Sequence, residues 1–201
     1  MPEMIKNIIF DFGKVLVDWN PHYLYDDYFG DEAESTRFIN EVMTADFHNE
    51  GDRGTPMAEV LKMWKARFPQ YSEAFDLFVN EFPKTVGGEE SGMYEYLSEL
   101  KARGYRLFGL SNWSYDTFRT IENVYPVFSL LEGRIISSLV HLLKPDKAIY
   151  ELALSTFDIK AEESVFTDDR LPNVQGAEAA GIRGLLFKDA ASFREDLEKL
   201  L

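Results

Sequence analysis

Four short apolar runs are spaced along the chain and predict buried strands. Each run has the length of a strand and is bounded by turn residues or by a helical pattern. The runs are "NIIFDF" from Asn7, "RLFGLSN" from Arg106, "SVFTDD" from Ser164 and "RGLLF" from Arg183. Their content of Ile, Val, Leu and Phe indicates strands in the interior of a sheet.

Helical patterns alternate with these runs. Residues 92–104 carry apolar side chains at Tyr94, Leu97 and Leu100 and end at Gly104, and residues 146–157 repeat the pattern. Spacing of three residues places such side chains on one face of a helix. Strands that alternate with helices predict an α/β protein with a parallel sheet covered on both faces.

Residues 20–87 interrupt the alternation, because they are helical in pattern and rich in aromatic and acidic residues. We expect them to form a small helical cap, inserted after the first strand, while residues 1–19 and 88–201 form the core. An insert that directly follows a strand ending in an acid is well placed to act as a lid that excludes water.

Composition narrows the functional classes. The chain has 201 residues and a net charge of −14, without an obvious basic patch, so a nucleic-acid or anionic membrane partner is not expected. It has no cysteine, which excludes disulfides and thiolate metal sites and fits a cytoplasmic location. No apolar run is long enough for a membrane span or a signal peptide. Nothing in the sequence indicates an oligomeric state.

Polar residues follow three of the predicted strands. Because ligands of open α/β sheets bind at the carboxyl ends of the strands, we expect these residues to meet at one edge. They are Asp11, then Ser111 with Asn112, then Asp168 with Asp169, and Lys144 in "LLKPDKAIY" adds a cation.

This combination predicts phosphoryl transfer through an aspartyl-phosphate. Asp11 would attack phosphorus, and a cation and fixed donors must offset the repulsion between two anions. Asp11 and Asp169 offer hard oxygen ligands for Mg²⁺, and Ser111 and Lys144 can contact the phosphoryl oxygens. Asp168 is expected to orient Lys144 or a metal-bound water rather than to bind the ion.

In order and over nearly the whole chain, these residues resemble the four motifs of the haloacid dehalogenase superfamily. The motifs are "FDFGKVLVD", "LFGLSN", "KPDKAIYELAL" and "VFTDDRLPNVQGAEAAGI". The resemblance implies a Rossmann-like core with a helical cap, Asp11 as nucleophile, and Ser111, Asn112 and Lys144 around the phosphate. It also implies Asp169 as a metal ligand, Asn173 as a supporting residue of the fourth motif, and a turn between cap helices at "FHNEGDRGTP", residues 47–56.

One position departs from the pattern of most phosphatases of this superfamily. They carry a second Asp two residues after the nucleophile as general acid, and here that position is Gly13. Its backbone carbonyl can still bind metal, but proton delivery is lost. The chain resembles most closely a subset with the Asp-x-Gly-x-Val-(Leu/Ile) form that includes α-glucose-1-phosphate phosphatases. We therefore expect leaving groups that are stable as anions to be favoured, unless another group such as His48 supplies the proton.

The sequence thus predicts a Mg²⁺-dependent phosphatase acting on a small, sugar-phosphate-like metabolite. A catalytically impaired phosphate-binding homologue is an alternative, because Gly13 replaces a catalytic residue. A 2-haloacid dehalogenase is less favoured, since a metal-free site that attacks a carboxylate-bearing substrate gains nothing from clustered acids. A phosphosugar mutase would need the missing Asp. A receiver domain would place its paired acids before the phosphoacceptor.

Overall fold

The computed structural model describes residues 4–201, and its strands form two sheets. Numbered in chain order, they are β1 (Asn7–Phe10), β2 (Val17–Trp19), β3 (Val86–Glu89), β4 (Arg106–Ser111), β5 (Gly133–Ile136), β6 (Ser164–Asp168) and β7 (Arg183–Leu186). Five of them form a parallel sheet in the order β5-β4-β1-β6-β7. β2 and β3 pair antiparallel as a separate ribbon.

Helices fill the connections between these strands. They are α1 (His22–Phe29), α2 (Glu32–Arg37), α3 (Ala45–Asp52), α4 (Met57–Arg67), α5 (Ser72–Asn80), α6 (Met93–Ala102), α7 (Tyr115–Phe118), α8 (Ser137–Val140), α9 (Lys147–Phe157), α10 (Leu171–Ala179) and α11 (Ala190–Glu198). Helix α2 continues as one π-helical segment, Phe38–Val42. Short 3₁₀ turns occur at Pro69–Tyr71, Phe82–Thr85, Pro126–Leu130 and Ala161–Glu163.

The parallel sheet is covered on both faces, which confirms the predicted α/β class. Ile8 and Phe10 of β1 belong to one buried cluster with α6 and α11, whereas Ile9 belongs to a second cluster with α9 and α10. Successive side chains of a strand point to opposite faces, so a strand that is covered twice must be apolar throughout. This explains the continuous apolar runs.

All four predicted strands form, but β7 was wrongly expected to be buried, because it lies at the edge of the sheet and its residues are partly or fully exposed. The strand β5 was not expected. It lies at the edge of the sheet, and its sequence, "GRII", is short and sits in an apolar stretch without a clear period. The buried face predicted for the helix at 92–104 was also partly wrong. Leu97 and Leu100 are buried as expected, but Tyr94 is exposed and Tyr96 is buried in its place.

Along the chain, helices α1 to α5 come between β2 and β3, the two strands of the ribbon. Trp19 of β2 stands opposite Val86 of β3, and the Asn20 backbone N–H donates to the carbonyl of Thr85 at 2.7 Å. The chain therefore leaves for the helical segment and returns from it at neighbouring points. We propose residues 20–87 as the cap on this basis; residues 1–3 of the proposed core lie outside the described residues.

Within residues 4–201, no helix has both the length and the apolar character needed to cross a membrane.

Candidate active site

Three parallel strands end at the site. Asp11 follows β1, Ser111 is the last residue of β4, and Asp168 is the last residue of β6. The hydroxyl of Ser111 donates to Oδ1 of Asp11 at 2.8 Å, and Nζ of Lys144 lies 2.8 Å from the same oxygen. The Asp11 carboxylate is thus held through one oxygen, and neither of these two contacts uses Oδ2.

Lys144 is fixed by its backbone as well as by its charge. The Asn112 side chain donates through Nδ2 to the Lys144 carbonyl at 3.0 Å and accepts from the Lys144 backbone N–H at 2.9 Å. This double hydrogen bond ties the end of β4 to the loop before α9, where the Lys144–Pro145 peptide is cis. Nζ of Lys144 also donates to Oδ2 of Asp168 at 2.6 Å. The ammonium is therefore placed between two carboxylates.

Asp168 is fully buried, and both of its oxygens already have partners. Oδ1 accepts from the Arg170 backbone N–H at 2.8 Å, and Nδ2 of Asn173 lies 3.0 Å from each oxygen. The Asn173 carbonyl in turn accepts from the hydroxyl of Tyr150 at 2.7 Å. The side chain of Asp168 thus contacts both Lys144 and Asn173. Its role in orienting Lys144 stays a prediction.

An acidic cluster suited to a divalent cation lies beside these groups. Asp11, Asp168 and Asp169 each place one carboxylate oxygen within 4.8 Å of the others. Since Asp168 is engaged, Asp11 and Asp169 have the oxygens left to offer, and Gly13 lines the same pocket. Mg²⁺ prefers a site with one or two carboxylates that retains several waters. The donor set present here fits that ion.

Burial and mutual repulsion change the protonation of these acids. Burial raises the pKa of Asp11 to about 7, with Lys144 opposing the rise and Asp168 adding to it. Burial also raises the pKa of Asp169, and the charge of Asp168 acts in the same direction. Burial by itself would lower the pKa of Lys144, but Asp11 and Asp168 outweigh it and raise that pKa. Such a site favours a bound cation.

A cavity of about 630 Å³ opens above Asp11, between the core and the proposed cap. Asp11, Ser111, Lys144 and Asp169 line its floor. Its remaining wall is mixed: apolar side chains come from Trp19, Ala45, Phe47, Met57, Phe78, Phe82 and Trp113, and polar ones include Asn40, His48, Asn49, Ser114 and Thr117. Apolar surface combined with convergent polar groups is typical of a small-molecule site.

His48 lines this cavity, but its surroundings oppose a charged imidazole. The ring lies edge-on to Trp19, Phe47 and Phe78, with centroid separations of 5.6, 5.3 and 5.7 Å. Burial lowers the pKa of His48 to about 4. The imidazole is therefore neutral near pH 7, which makes it a poor source of the proton considered above.

Asp52 is a cavity residue that the sequence analysis missed. It is the last residue of α3, and burial raises the pKa of its carboxyl to about 7, with the charge of Asp11 adding to the rise. The segment 47–56 was expected to be a turn, which was wrong for its first part, because α3 extends to Asp52. The flanking Gly51 and Gly54 in "EGDRG" were the available signal of a close backbone approach.

All residues predicted for the site meet at this edge of the sheet. Asp11, Gly13, Ser111, Asn112, Lys144, Asp169 and Asn173 line the cavity, and Asp168 lies behind it. Lys14, Arg170 and Asp52 are additional charged lining residues.

The fold, the strand-end acids and the buried lysine define a hydrolase of the haloacid dehalogenase class. The family model described as haloacid dehalogenase-like hydrolase matches residues 8–187, and the chain belongs to this family. The narrower subset with α-glucose-1-phosphate phosphatases stays a prediction.

Individual relatives are similar over nearly the whole chain. The sequence is 27% identical over 198 residues to sesquiterpene phosphatase astK of Aspergillus oryzae, which covers 98% of this chain and 96% of that protein. A haloacid dehalogenase (HAD) family enzyme from Bacteroides thetaiotaomicron was solved with magnesium and inorganic phosphate. It has a TM-score of 0.70 at 18% identity, and the match covers 92% of this chain and 96% of that one. A predicted HAD-like hydrolase from Porphyromonas gingivalis has a TM-score of 0.76 at 21% identity, with 98% of both chains covered.

Proposed function

We propose that this protein is a Mg²⁺-dependent phosphatase that hydrolyses a small phosphorylated metabolite through an aspartyl-phosphate on Asp11. The observation that carries the proposal is the position of Asp11 at the floor of the cavity, with Ser111 and Lys144 on one of its oxygens. The second oxygen is left for attack on phosphorus, and the hydroxyl and ammonium can turn to the incoming phosphoryl oxygens.

The residues that would hold Mg²⁺ are Asp11, Asp169 and the carbonyl of Gly13. The ion would supply positive charge that offsets the repulsion between the Asp11 carboxylate and a phosphate. The chain itself contributes the ammonium of Lys144, which Asp168 and Asn112 hold in place. Pre-positioned charge of this kind stabilises a transition state without reorganisation during the reaction.

The comparisons support a phosphatase among the activities of the family. The relative from Aspergillus oryzae is named a phosphatase, and the Bacteroides neighbour was solved with magnesium and inorganic phosphate. Both observations concern those proteins. Together with the acidic cluster of this chain, they favour phosphate over a halogenated acid as the group attacked.

A second, narrower proposal concerns the leaving group, which is the alcohol released from the phosphate. Trp19, Phe47, Phe78, Phe82 and Trp113 face the cavity above Asp11, and burial of apolar surface there is worth about 25 cal/mol per Å². A sugar would place some of its hydroxyls against these rings, which give them no hydrogen-bond partner, whereas an apolar chain buries only carbon there. We therefore favour an apolar alcohol as the leaving group over the sugar predicted from sequence, and the similarity to a sesquiterpene phosphatase agrees with this choice.

The proposal is tested with purified protein, p-nitrophenyl phosphate and Mg²⁺. We expect turnover that EDTA abolishes, and a mass increase of one phosphoryl group on the peptide that contains Asp11. The variant Asp11→Asn should lose more than about 10⁴-fold in kcat, as removal of a nucleophile generally does. Phosphate binding without turnover would indicate the impaired homologue, and Mg²⁺-independent release of halide from a 2-haloacid would indicate a dehalogenase.

The leaving-group proposal is tested with primary alkyl phosphates of increasing chain length. Each methylene that enters the apolar wall should raise kcat/KM by roughly fourfold, because its burial is worth about 0.8 kcal/mol. The variant Phe78→Ala should weaken this dependence. If glucose 1-phosphate were hydrolysed with higher kcat/KM than hexyl phosphate, the leaving group would be a sugar after all.

A further inference from the structure

Asp52 is the one carboxylate of the α1 to α5 segment among the residues that line the cavity over Asp11. It is the last residue of α3, whereas Asp11 and Asp169, the other lining acids, follow strands of the core. Asp11 and Lys144 both act on its charge, and so does Arg170. Asp52 and Asp11 thus line the same cavity, into which the leaving group of a phosphate held on Asp11 would extend.

The end of α3 is attached to the core by hydrogen bonds through its backbone. The Ser137 hydroxyl donates to the carbonyl of Asp52 at 2.7 Å and accepts from the Trp113 backbone N–H at 3.0 Å. Nδ1 of His141 lies 2.8 Å from the carbonyl of Arg53. The Asp52 carboxyl itself is also engaged by the Ser114 backbone of the core, which helps to fix its position.

The turn continues this attachment to the start of α4. The Met57 backbone N–H donates to the carboxylate of Asp116 at 2.9 Å. Gly51 is buried, and a Cβ there would come within 2.7 Å of Met57 Sδ. The chain is therefore packed tightly on both sides of Asp52, and residue 52 has a defined position over the core.

The core position that would carry an acid two residues after Asp11 is occupied by Gly13. At Gly13, a Cβ would point between Trp113 and Trp19, at 3.6 and 3.7 Å from their nearest atoms. Both are ordinary contact distances, and Gly13 shows no left-handed φ, so neither space nor backbone conformation requires glycine here. Two tryptophans thus bound the space that an acidic side chain from position 13 would enter.

We propose that Asp52 donates the proton to the leaving oxygen and afterwards accepts a proton from the attacking water, in place of an acid at position 13. This role rests on the proposed phosphatase function. It makes proton transfer depend on a residue of the cap segment, so a cap that moves off the core would remove the acid from the site.

The electrostatic surroundings agree with this role. Burial and the charge of Asp11 raise the pKa of Asp52 to about 7, while Lys144, the Ser114 backbone and Arg170 act in the opposite direction. A general acid is most effective when its pKa is near the working pH. The imidazole of His48, on the same helix, is neutral near pH 7 because burial lowers its pKa to about 4, so it is not an effective general acid at that pH.

The two half-reactions balance with these groups alone. First, an Asp11 oxygen forms a bond to phosphorus, the bond from phosphorus to the leaving oxygen breaks, and that oxygen takes the Asp52 proton and departs as an alcohol. Then water gives one proton to the Asp52 carboxylate and its oxygen bonds to phosphorus. The bond between phosphorus and Asp11 breaks, which releases hydrogen phosphate and restores both carboxyl groups.

The test compares two substrates in the full-length protein with Mg²⁺. Hexyl phosphate needs protonation of its leaving oxygen, whereas p-nitrophenyl phosphate releases an anion that is already stable. The quantity compared is kcat/KM, because it reports only the steps up to formation of the phosphoenzyme, in which the leaving group departs. For Asp52→Asn we expect kcat/KM on hexyl phosphate to fall by about 10² to 10⁴-fold, and kcat/KM on p-nitrophenyl phosphate to fall by less than about tenfold. The exposed Asp46 on the same helix provides the matched control, Asp46→Asn, which should leave both values of kcat/KM unchanged.

Equal losses on the two substrates, or no loss on either, would overturn the role of Asp52. Asparagine has the shape of aspartate, and the p-nitrophenyl phosphate rate itself reports an intact site. Asp52→Ser, measured in the same way, must show the same substrate-dependent loss. If the wild-type protein hydrolysed neither substrate, the phosphatase function would fail instead, so the two failures are distinguishable.

Discussion

Asp169 is the carboxylate of the acidic cluster that is least engaged within the protein. Asp168 is held by Lys144 and Asn173, and Asp11 by Lys144 and Ser111, whereas Asp169 lies at the cavity with burial and Asp168 raising its pKa. A bound divalent cation would relieve this repulsion. At the scale of single residues, Asp169 is therefore the side chain on which metal binding should depend most.

We expect Asp169→Asn to weaken Mg²⁺ binding by at least about tenfold. Even residues that only hydrogen-bond to a metal ligand contribute about 10 to 100-fold to metal affinity. Isothermal titration calorimetry measures this without reference to activity. The exposed acid Glu162 gives a control, Glu162→Gln, that should bind Mg²⁺ like the wild type. Unchanged affinity in Asp169→Asn would assign the ligand to another residue.

His48 should make the protein sensitive to acid. Its pKa is about 4 in the folded protein and 6.5 in the absence of burial. Between these values the unfolded chain binds a proton that the folded protein does not, so the free energy of unfolding decreases as pH falls from 6.5 to 4. Above pH 6.5 this destabilisation is absent.

We expect His48→Phe, which keeps the ring contacts with Trp19, Phe47 and Phe78, to lose less stability than the wild type between pH 7.5 and 4.5. Urea unfolding at the two pH values gives the difference. Comparing the two proteins removes the contribution of other titrating groups. The same pH dependence in both would mean that His48 is not buried as a neutral ring.

At the scale of elements, the loop between α3 and α4 joins the cap segment to the core. Gly54 in this loop has φ of +102°, a conformation that favours glycine. A Cβ there would overlap the ring of His141 and the carbonyl oxygen of Ser138. Because Gly54 lies two residues from Asp52, the close approach of this loop to α8 also sets the position of the proposed acid.

We therefore expect Gly54→Ala to be far more disruptive than alanine at another left-handed glycine. Gly104 ends α6 with φ of +93° and has nothing within 4 Å of the space for a Cβ. Gly104→Ala should cost only backbone strain, and Gly54→Ala about 1 to 3 kcal/mol more, from overpacking. Urea denaturation measures both. Equal losses would show that the loop can move away from α8.

At the scale of the whole molecule, the cap segment and the core share one hydrophobic cluster. Phe47, Phe78 and Phe82 of the segment join Phe12 and Trp113 of the core in this cluster. Phe82 and Trp113 are in direct contact, with ring centroids 6.0 Å apart. Separation of the two parts would therefore expose large aromatic surfaces to water.

We expect the protein to unfold in a single cooperative transition. Hydrogen exchange in low concentrations of urea should give amides of α4 and of β4 the same free energy of opening. A lower value for α4 alone would show that the α1 to α5 segment opens as an independent unit. Such a unit could be removed without loss of the core, which the shared cluster argues against.

The sequence by itself determined the parallel sheet and the meeting of its strand-end residues. Strands buried on two faces must be apolar along their length, so β1, β4 and β6 were visible without any partner, and the short apolar run of the edge strand β7 was visible as well. Their carboxyl ends meet at one edge, which placed Asp11, Ser111 and Asp168 together. These are consequences of local pattern and chain direction.

Only the tertiary structure decided which groups reach the site from elsewhere. The pairing of β2 with β3, the edge strand β5 and the approach of Asp52 depend on contacts between segments that are distant in sequence. A short strand or a single acid carries no periodic signal of such contacts, because its partner rather than its own neighbours defines its environment. The sequence therefore placed Asp11 at a strand end, whereas only the folded chain could bring the carboxyl group of Asp52 into the same cavity.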